Sequence, residues 1–143
     1  MRFSHIGIVA RDADRLAEFY KKVFGCEELR SSRTISGEKV SRGNGLPGSR
    51  IYSIWLNLPG VETPFLEIHQ YDVTKNRAVP YVNEPGYGHI SFVVKDIRSK
   101  SAEIVDAGGQ KLGEITNLGS ADNPVLAVYM RDLEGNVIEI EER

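Results

Sequence analysis

Ser4-His5-Ile6-Gly7-Ile8-Val9-Ala10-Arg11-Asp12 and Gly88-His89-Ile90-Ser91-Phe92-Val93-Val94-Lys95-Asp96 are two copies of one pattern. His falls on His, Ile on Ile, Val on Val and Asp on Asp at an offset of 84 residues, and the same offset sets Gly25 on Gly109. Farther along, Phe65-Leu66-Glu67-Ile68 matches Val137-Ile138-Glu139-Ile140 at an offset of 72, because the first copy is the longer by about a dozen residues. Each half therefore offers one His on its first strand and one Glu on its last. Two imidazoles and two carboxylates are a credible shell for a divalent metal.

Hydrophobic periodicity predicts the same element order in both halves. Residues 2 to 10 read as a strand rich in β-branched residues, and Asp12 or Asp14 is placed to cap a helix that runs to about Phe24 with Leu16, Phe19, Tyr20 and Val23 on one face. Gly25 stops it. A strand from Glu27 to Arg33 leads into the Gly-rich, polar stretch Ser36 to Arg50, which reads as a loop or loose hairpin. Strands follow at Ile51 to Leu58 and Pro64 to Tyr71. The second copy predicts a strand at 88–95, a helix at about 97–107, a strand at 110–115 and a polar loop at 120–124. Strands at 125–131 and 136–142 close it, joined by the turn sequence Asp132-Leu133-Glu134-Gly135-Asn136. Each half is thus βαβββ. The expectation is one α+β domain of two repeats, about 1–72 and 86–143, joined by a linker at 73–85.

Alternate residues of a strand face opposite ways, which tests whether the ligand candidates share a side. His5 and Gly7 oppose Ile6 and Ile8, Glu67 and His69 oppose Leu66 and Ile68, His89 and Ser91 oppose Ile90 and Phe92, and Glu139 and Glu141 oppose Ile138 and Ile140. All four strands give one apolar face for helices and one face that carries every candidate ligand. A curved sheet with ionisable groups on its inner side is a cleft that can hold a metal and a small molecule. Trp55 and Tyr129 fall on the inner side as well, because Ile54, Leu56, Val128 and Met130 take the helix-facing positions. They are candidate substrate walls. His69 and Glu141 lie two residues from the candidate ligands, on the same faces.

Composition bounds the function classes. With 143 residues, 41% hydrophobic content, 18 basic against 20 acidic side chains and a formal charge of −2, the chain has no basic stripe for nucleic acid. Cys26 is the only cysteine, which excludes an internal disulfide and a zinc-thiolate framework. The apolar N-terminal stretch is interrupted by His5 and Arg11, so neither a signal peptide nor a membrane span is expected. A cytoplasmic protein that acts on a small molecule is the expectation.

The chain resembles the vicinal oxygen chelate superfamily, the glyoxalase, bleomycin-resistance and extradiol dioxygenase group, over nearly its whole length. The most specific stretches are His5-Ile6-Gly7-Ile8-Val9, the segment DADRLAEFYKKVFG ending at Gly25, Gly86-Tyr87-Gly88-His89-Ile90, and the segment DLEGNVIE from Asp132 to Glu139. The resemblance implies paired βαβββ modules that form an open, curved mixed-sheet barrel with helices on the outer face, and metal ligands on the first and last strands of each module, which carries over to His5, Glu67, His89 and Glu139. That set is closest to glyoxalase I. Related epimerases often have Gln where this chain has Glu67, and the bleomycin-binding members lack the set.

Such a shell suits one Zn, Ni, Co, Mn or Fe ion per site, with positions left for substrate oxygens. A metal-stabilised enolate and Glu-mediated proton transfer would make the protein a glyoxalase-type lyase or isomerase, with Glu67 and Glu139 as the catalytic pair and their two roles unassigned. The same cleft with Fe(II) and O2 would cleave a catechol ring, with His69 or Tyr129 as acid or base. A non-catalytic drug-binding protein is the third reading. Trp55, His69, Tyr129 and Arg131 are the candidate substrate contacts; Arg42, Arg50 and Arg77 are further cations able to grip an anion. The segments Gly37 to Arg50 and Asp72 to Tyr87 do not resemble those that hold glutathione. The resemblance also implies a homodimer.

Overall fold

A computed structural model describes residues 1–143, which divide into two compact units, Met1–Arg77 and Ala78–Arg143. Unit 1 runs β1 (His5–Val9), α1 (Ala13–Phe24), β2 (Glu27–Ser36), α2 (Glu38–Asn44), β3 (Arg50–Asn57) and β4 (Phe65–Tyr71). Unit 2 runs β5 (Ile90–Val93), α3 (Ile97–Asp106), β6 (Gln110–Lys111), β7 (Thr116–Asn117), β8 (Leu126–Arg131) and β9 (Val137–Glu142). The class is α+β, with one mixed sheet in each unit and no closed barrel. The orders are β1-β4-β3-β2 and β5-β9-β8-β6, with β7 also on β8; in each sheet the first pair is parallel and the rest antiparallel. None of the helices is long and apolar enough to cross a membrane.

The repeat is exact in register, not only in residue type. Gly7 pairs with Glu67 on β4 and its counterpart Ser91 with Glu139 on β9; Trp55 on β3 and Tyr129 on β8 flank those same two glutamates from the other side. Ala10 N donates to His69 O at 2.8 Å, as Val94 N does to Glu141 O at 2.7 Å. Each helix then receives the same cap from the same strand: Ala13 N donates to Gln70 Oε1 at 2.9 Å and Ile97 N to Glu142 Oε2 at 2.8 Å. Asp12 and Asp96 complete the starts, accepting from Arg15 N in α1 and from Arg98 N and Ser99 N in α3.

Helix and sheet meet across the apolar faces that alternation predicts. Leu16, Ala17, Tyr20 and Val23 of α1 are buried with Ile54, Leu56, Leu66 and Ile68 in unit 1, and Ile97 and Ile104 of α3 are buried with Met130, Ile138 and Ile140 in unit 2. Each large side chain removed from water this way contributes about 1.5–3 kcal/mol. Cys26 joins the first core, and burial pushes its thiol from 9.0 up to about 11. The folded protein thus keeps its proton where the unfolded chain releases it, so this contribution is complete below about pH 9 and fades as pH climbs toward 11. We expect no reaction with a disulfide reagent at pH 8 until denaturant is added, since the thiolate is the nucleophile. Stoichiometric labelling of the native protein within minutes would contradict this.

Two stretches depart from expectation. Ser36 to Arg50 is a loop only over residues 45–49: β2 extends to Ser36 and α2 follows, with Gly37 (φ 103°) at its start and Gly45 (φ 72°) at its end. The glycines that read as loop punctuation are helix boundaries, and Glu38 and Arg42 meet at 3.8 Å across one turn. In unit 2, the strand expected at 110–115 is cut short to β6 at Gln110–Lys111, and β7 follows separately at Thr116–Asn117. Leu112 N and Gly113 N both donate to Tyr129 O at 3.0 Å, so the chain has already left the ladder there.

Candidate functional site

On the face of unit 1 opposite the helix, His5 Nε2 lies 3.2 Å from Glu67 Oε2. In unit 2, His89 Nε2 lies 3.1 Å from Glu139 Oε2. The repeat has therefore built the same pair twice. His5 and His89 keep 42% and 35% of their side-chain surface while the glutamates keep 13% and 15%, so each imidazole tops a carboxylate set into the sheet. Donors bound to one first-row ion at about 2.1 Å sit about 3.0–3.4 Å apart, and both pairs fall within that spacing. The donor set and its spacing fit a divalent ion. The structure gathers no group of three or more His, Cys, Asp or Glu side chains around one point.

Beyond this shared pair the two halves differ. Glu67 Oε1 accepts from Trp55 Nε1 at 2.6 Å and from Ser53 Oγ at 3.3 Å. The buried His69 Nε2 stands 3.0 Å from the same oxygen. Burial pushes the Glu67 carboxyl up, yet His69, the Trp55 N–H and His5 together outweigh it and hold the group below the usual carboxylate range. Glu139 has no such collar. Tyr129 packs against His89 at 5.0 Å between ring centroids instead of bonding the carboxylate. At the position equivalent to His69 stands Glu141, which bonds Ser91 Oγ at 2.8 Å and Arg143; Arg143 is the main reason its carboxyl lies below the ordinary range.

Trp55 is more than a wall. Its indole stacks on Phe65 at 4.4 Å between centroids, and Phe65 stacks on His5 at 5.1 Å. The arginines sort differently from expectation. Arg131 is buried, with its guanidinium donating to Gly135 O at 2.7 Å and Pro80 O at 2.8 Å, which tethers the residues ahead of β5. Arg42 pairs with Glu38, and Arg50 with Asp72 at 3.4 Å. Arg30, which sequence reasoning passed over, lies over the Trp55 ring with Cζ 3.1 Å from the centroid. The alternation that located Trp55 could not locate it, because the register of β2 slips on both sides of Arg30.

Comparison with known proteins agrees with this fold. An ethylmalonyl-CoA/methylmalonyl-CoA epimerase of Cereibacter sphaeroides is 24% identical over 144 residues, which cover 99% of this chain and 97% of that protein. Among solved structures, a glyoxalase family protein from Bacillus cereus superposes with a TM-score of 0.87 at 21% identity, covering 99% of this chain and 93% of that one. A variant of the fosfomycin resistance protein FosX from Listeria monocytogenes, complexed with Mn(II) and a dihydroxypropylphosphonic acid, gives a TM-score of 0.61 at 16% identity over 97% and 87% of the two chains. The family model of the glyoxalase/bleomycin resistance protein/dioxygenase superfamily matches residues 4–126, and the chain belongs to that superfamily.

Proposed function

We propose that the protein is a divalent-metal-dependent isomerase or lyase that moves a proton at the carbon beside a substrate carbonyl, with His5, Glu67, His89 and Glu139 as ligands of one ion. The observation that carries the proposal is the twin His–Glu pair, at 3.2 and 3.1 Å in equivalent registers. A bound ion supplies Lewis-acid charge to the substrate's paired oxygens. The unequal surroundings of the two glutamates divide the remaining work. Glu67, clasped by Trp55 and Ser53 and kept ionised, is a fixed ligand. Glu139, with His89 as its hydrogen-bonding-distance partner and no collar, is free to turn, take the proton and return it. Trp55 and Phe65 flank the first pair with aromatic surface and Tyr129 flanks the second. The epimerase relative names a reaction of this proton-transfer type.

The test is metal analysis of the purified protein, followed by assay under strict anaerobiosis. Zn, Ni, Co or Mn is restored to chelated protein, and 2-substituted malonyl thioesters and α-hydroxycarbonyls are screened for exchange of the carbon-bound proton into deuterated water by NMR. Metal-dependent exchange without oxygen is the expected outcome. Catechol-dependent O2 uptake requiring Fe(II) would replace this reading with ring cleavage, and tight ligand binding with neither metal nor turnover would replace it with sequestration.

Both β1 and β5 are edge strands, paired on one side only, and exposed edges are seldom left open in soluble proteins. We propose a homodimer in which the ligand pairs at one ion come from different chains. Mixing His5→Ala with His89→Ala protein is expected to restore about one metal site per heterodimer. No recovery despite demonstrated subunit exchange would place all four ligands in one chain.

A further inference from the structure

Across unit 1, Arg30 on β2, Trp55 on β3, Glu67 on β4 and Gly7 on β1 form one row of directly paired residues. Directly opposed side chains share a face, so Arg30 projects on the side that carries Glu67 and His5. At 3.1 Å from the ring centroid, the guanidinium must lie roughly parallel to the indole, since a tilted one would drive a nitrogen into the ring. Stacking of this kind occupies the face of the fork and leaves its edge donors pointing outward. None of those donors is taken by an acceptor of the chain. Glu67, the nearest carboxylate of the site, already holds Trp55 and His5 and acts on Arg30 only through space. Arg33, opposite Ser53 one step along the same ladder, adds a second positive charge to this face.

A stacked guanidinium with free edges, aimed by a slip of register on either side, is built to receive an oxyanion that presents two oxygens. Unit 2 has no counterpart: the position facing Tyr129 is Gly113, where the strand breaks. We infer that Arg30 is the specificity residue that recognises an anionic group of the substrate, a carboxylate or a phosphoryl group, beside the His5/Glu67 pair. This deepens the proposed function and rests on it for the word substrate, but not for the anion site itself.

Trp55 is the only tryptophan, so its fluorescence reports this site directly. Wild-type protein, Arg30→Met and Arg30→Lys are titrated with malonate, with inorganic phosphate and with neutral malonamide, each in chelator-treated and Zn-loaded form. Thermal melts establish folding, and Zn affinity is measured separately by competition with a chromophoric chelator. Wild type is expected to show saturable binding of the anions and none of malonamide. Arg30→Met should weaken anion binding by about tenfold to a hundredfold, the scale of hydrogen bonds to a charged group, with Zn affinity unchanged within about threefold. Arg30→Lys, which keeps the charge without the fork, should fall between and serves if the Met variant does not fold. Preference for malonate identifies a carboxylate, preference for phosphate a phosphoryl group. Absence of anion binding in wild type, or equal binding in all three proteins, overturns the inference. Arg30-dependent anion binding in a protein that takes up no Zn would sink the metal reading and leave this one standing.

Discussion

Glu139→Gln is expected to lower proton exchange by about a thousandfold while leaving the fold and the Trp55 environment intact. A positioned general base is worth about 10²- to 10⁴-fold, and Glu139 is the one carboxylate of the site with neither a tryptophan nor a hydroxyl holding it. Gln keeps the volume and an oxygen able to face an ion, but it cannot accept the proton. Glu67→Gln is expected to behave differently. Its collar of Trp55 and Ser53 positions an amide as readily as a carboxylate, so the loss should appear mainly as weaker metal retention, with exchange recovering at high metal concentration. Measured side by side at saturating metal, the two variants separate base from ligand. A Glu139→Gln protein retaining more than about a tenth of wild-type exchange would reassign the base.

Gly109→Val is expected to cost about 3 kcal/mol of stability, a fall in melting temperature of about 10 °C. A Cβ built at Gly109 would stand 2.6 Å from Arg131 O, 2.6 Å from Ile104 Cγ2 and 2.9 Å from Ile104 O. Two of those three neighbours are backbone atoms, one on α3 and one on β8, and neither can move without opening the unit 2 core. Gly108→Ala is a useful companion, since Gly108 has φ of 95° and its substitution meets backbone strain in place of a clash. Differential scanning calorimetry of the variants would check both. A Gly109→Val protein melting within 2 °C of wild type would show that the close approach of α3 to β8 is not rigid.

The sequence reading reached the parts of the fold where period and register coincide. Ile6, Leu66, Ile90 and Ile138 alternate with charged or small neighbours on strands that pair in parallel, so one set of offsets located both His–Glu pairs and the face they share. The offsets of 84 and 72 that align the histidines and glutamates also align Ala13 with Ile97 and Gln70 with Glu142, a helix-capping pair visible only once the hydrogen bonds were seen. Gly25 and Gly109 match by number yet differ in work. Gly25 is a left-handed helix cap at φ 69°, a role that Gly108 fills in unit 2, while Gly109 is there for close packing. What stayed hidden was whatever depends on a departure from regularity. The two slips in β2 break the parity count that would have aimed Arg30, and the helix α2 is bounded by glycines that resemble loop punctuation. The unequal holding of Glu67 and Glu139 was likewise illegible, because it rests on whether a cross-strand Trp or Tyr turns its polar atom toward the carboxylate.

The fourth strand is where the two halves have parted. Three strands of each sheet keep the same pairing down to single residues, whereas the next is ten residues long in one half and two short fragments in the other. If the halves descend from one duplicated ancestor, that boundary marks the limit of what selection held fixed. The first three strands carry the His–Glu pairs and the helix-packed core, so any drift there would be felt twice, in folding and in chemistry. The outermost strand of unit 1, β2, has no buried residue, and its Arg30 lies over Trp55 of the site. If Arg30 reads the anion, rewriting β2 alone would exchange one acid for another without touching the strands that carry the His–Glu pairs.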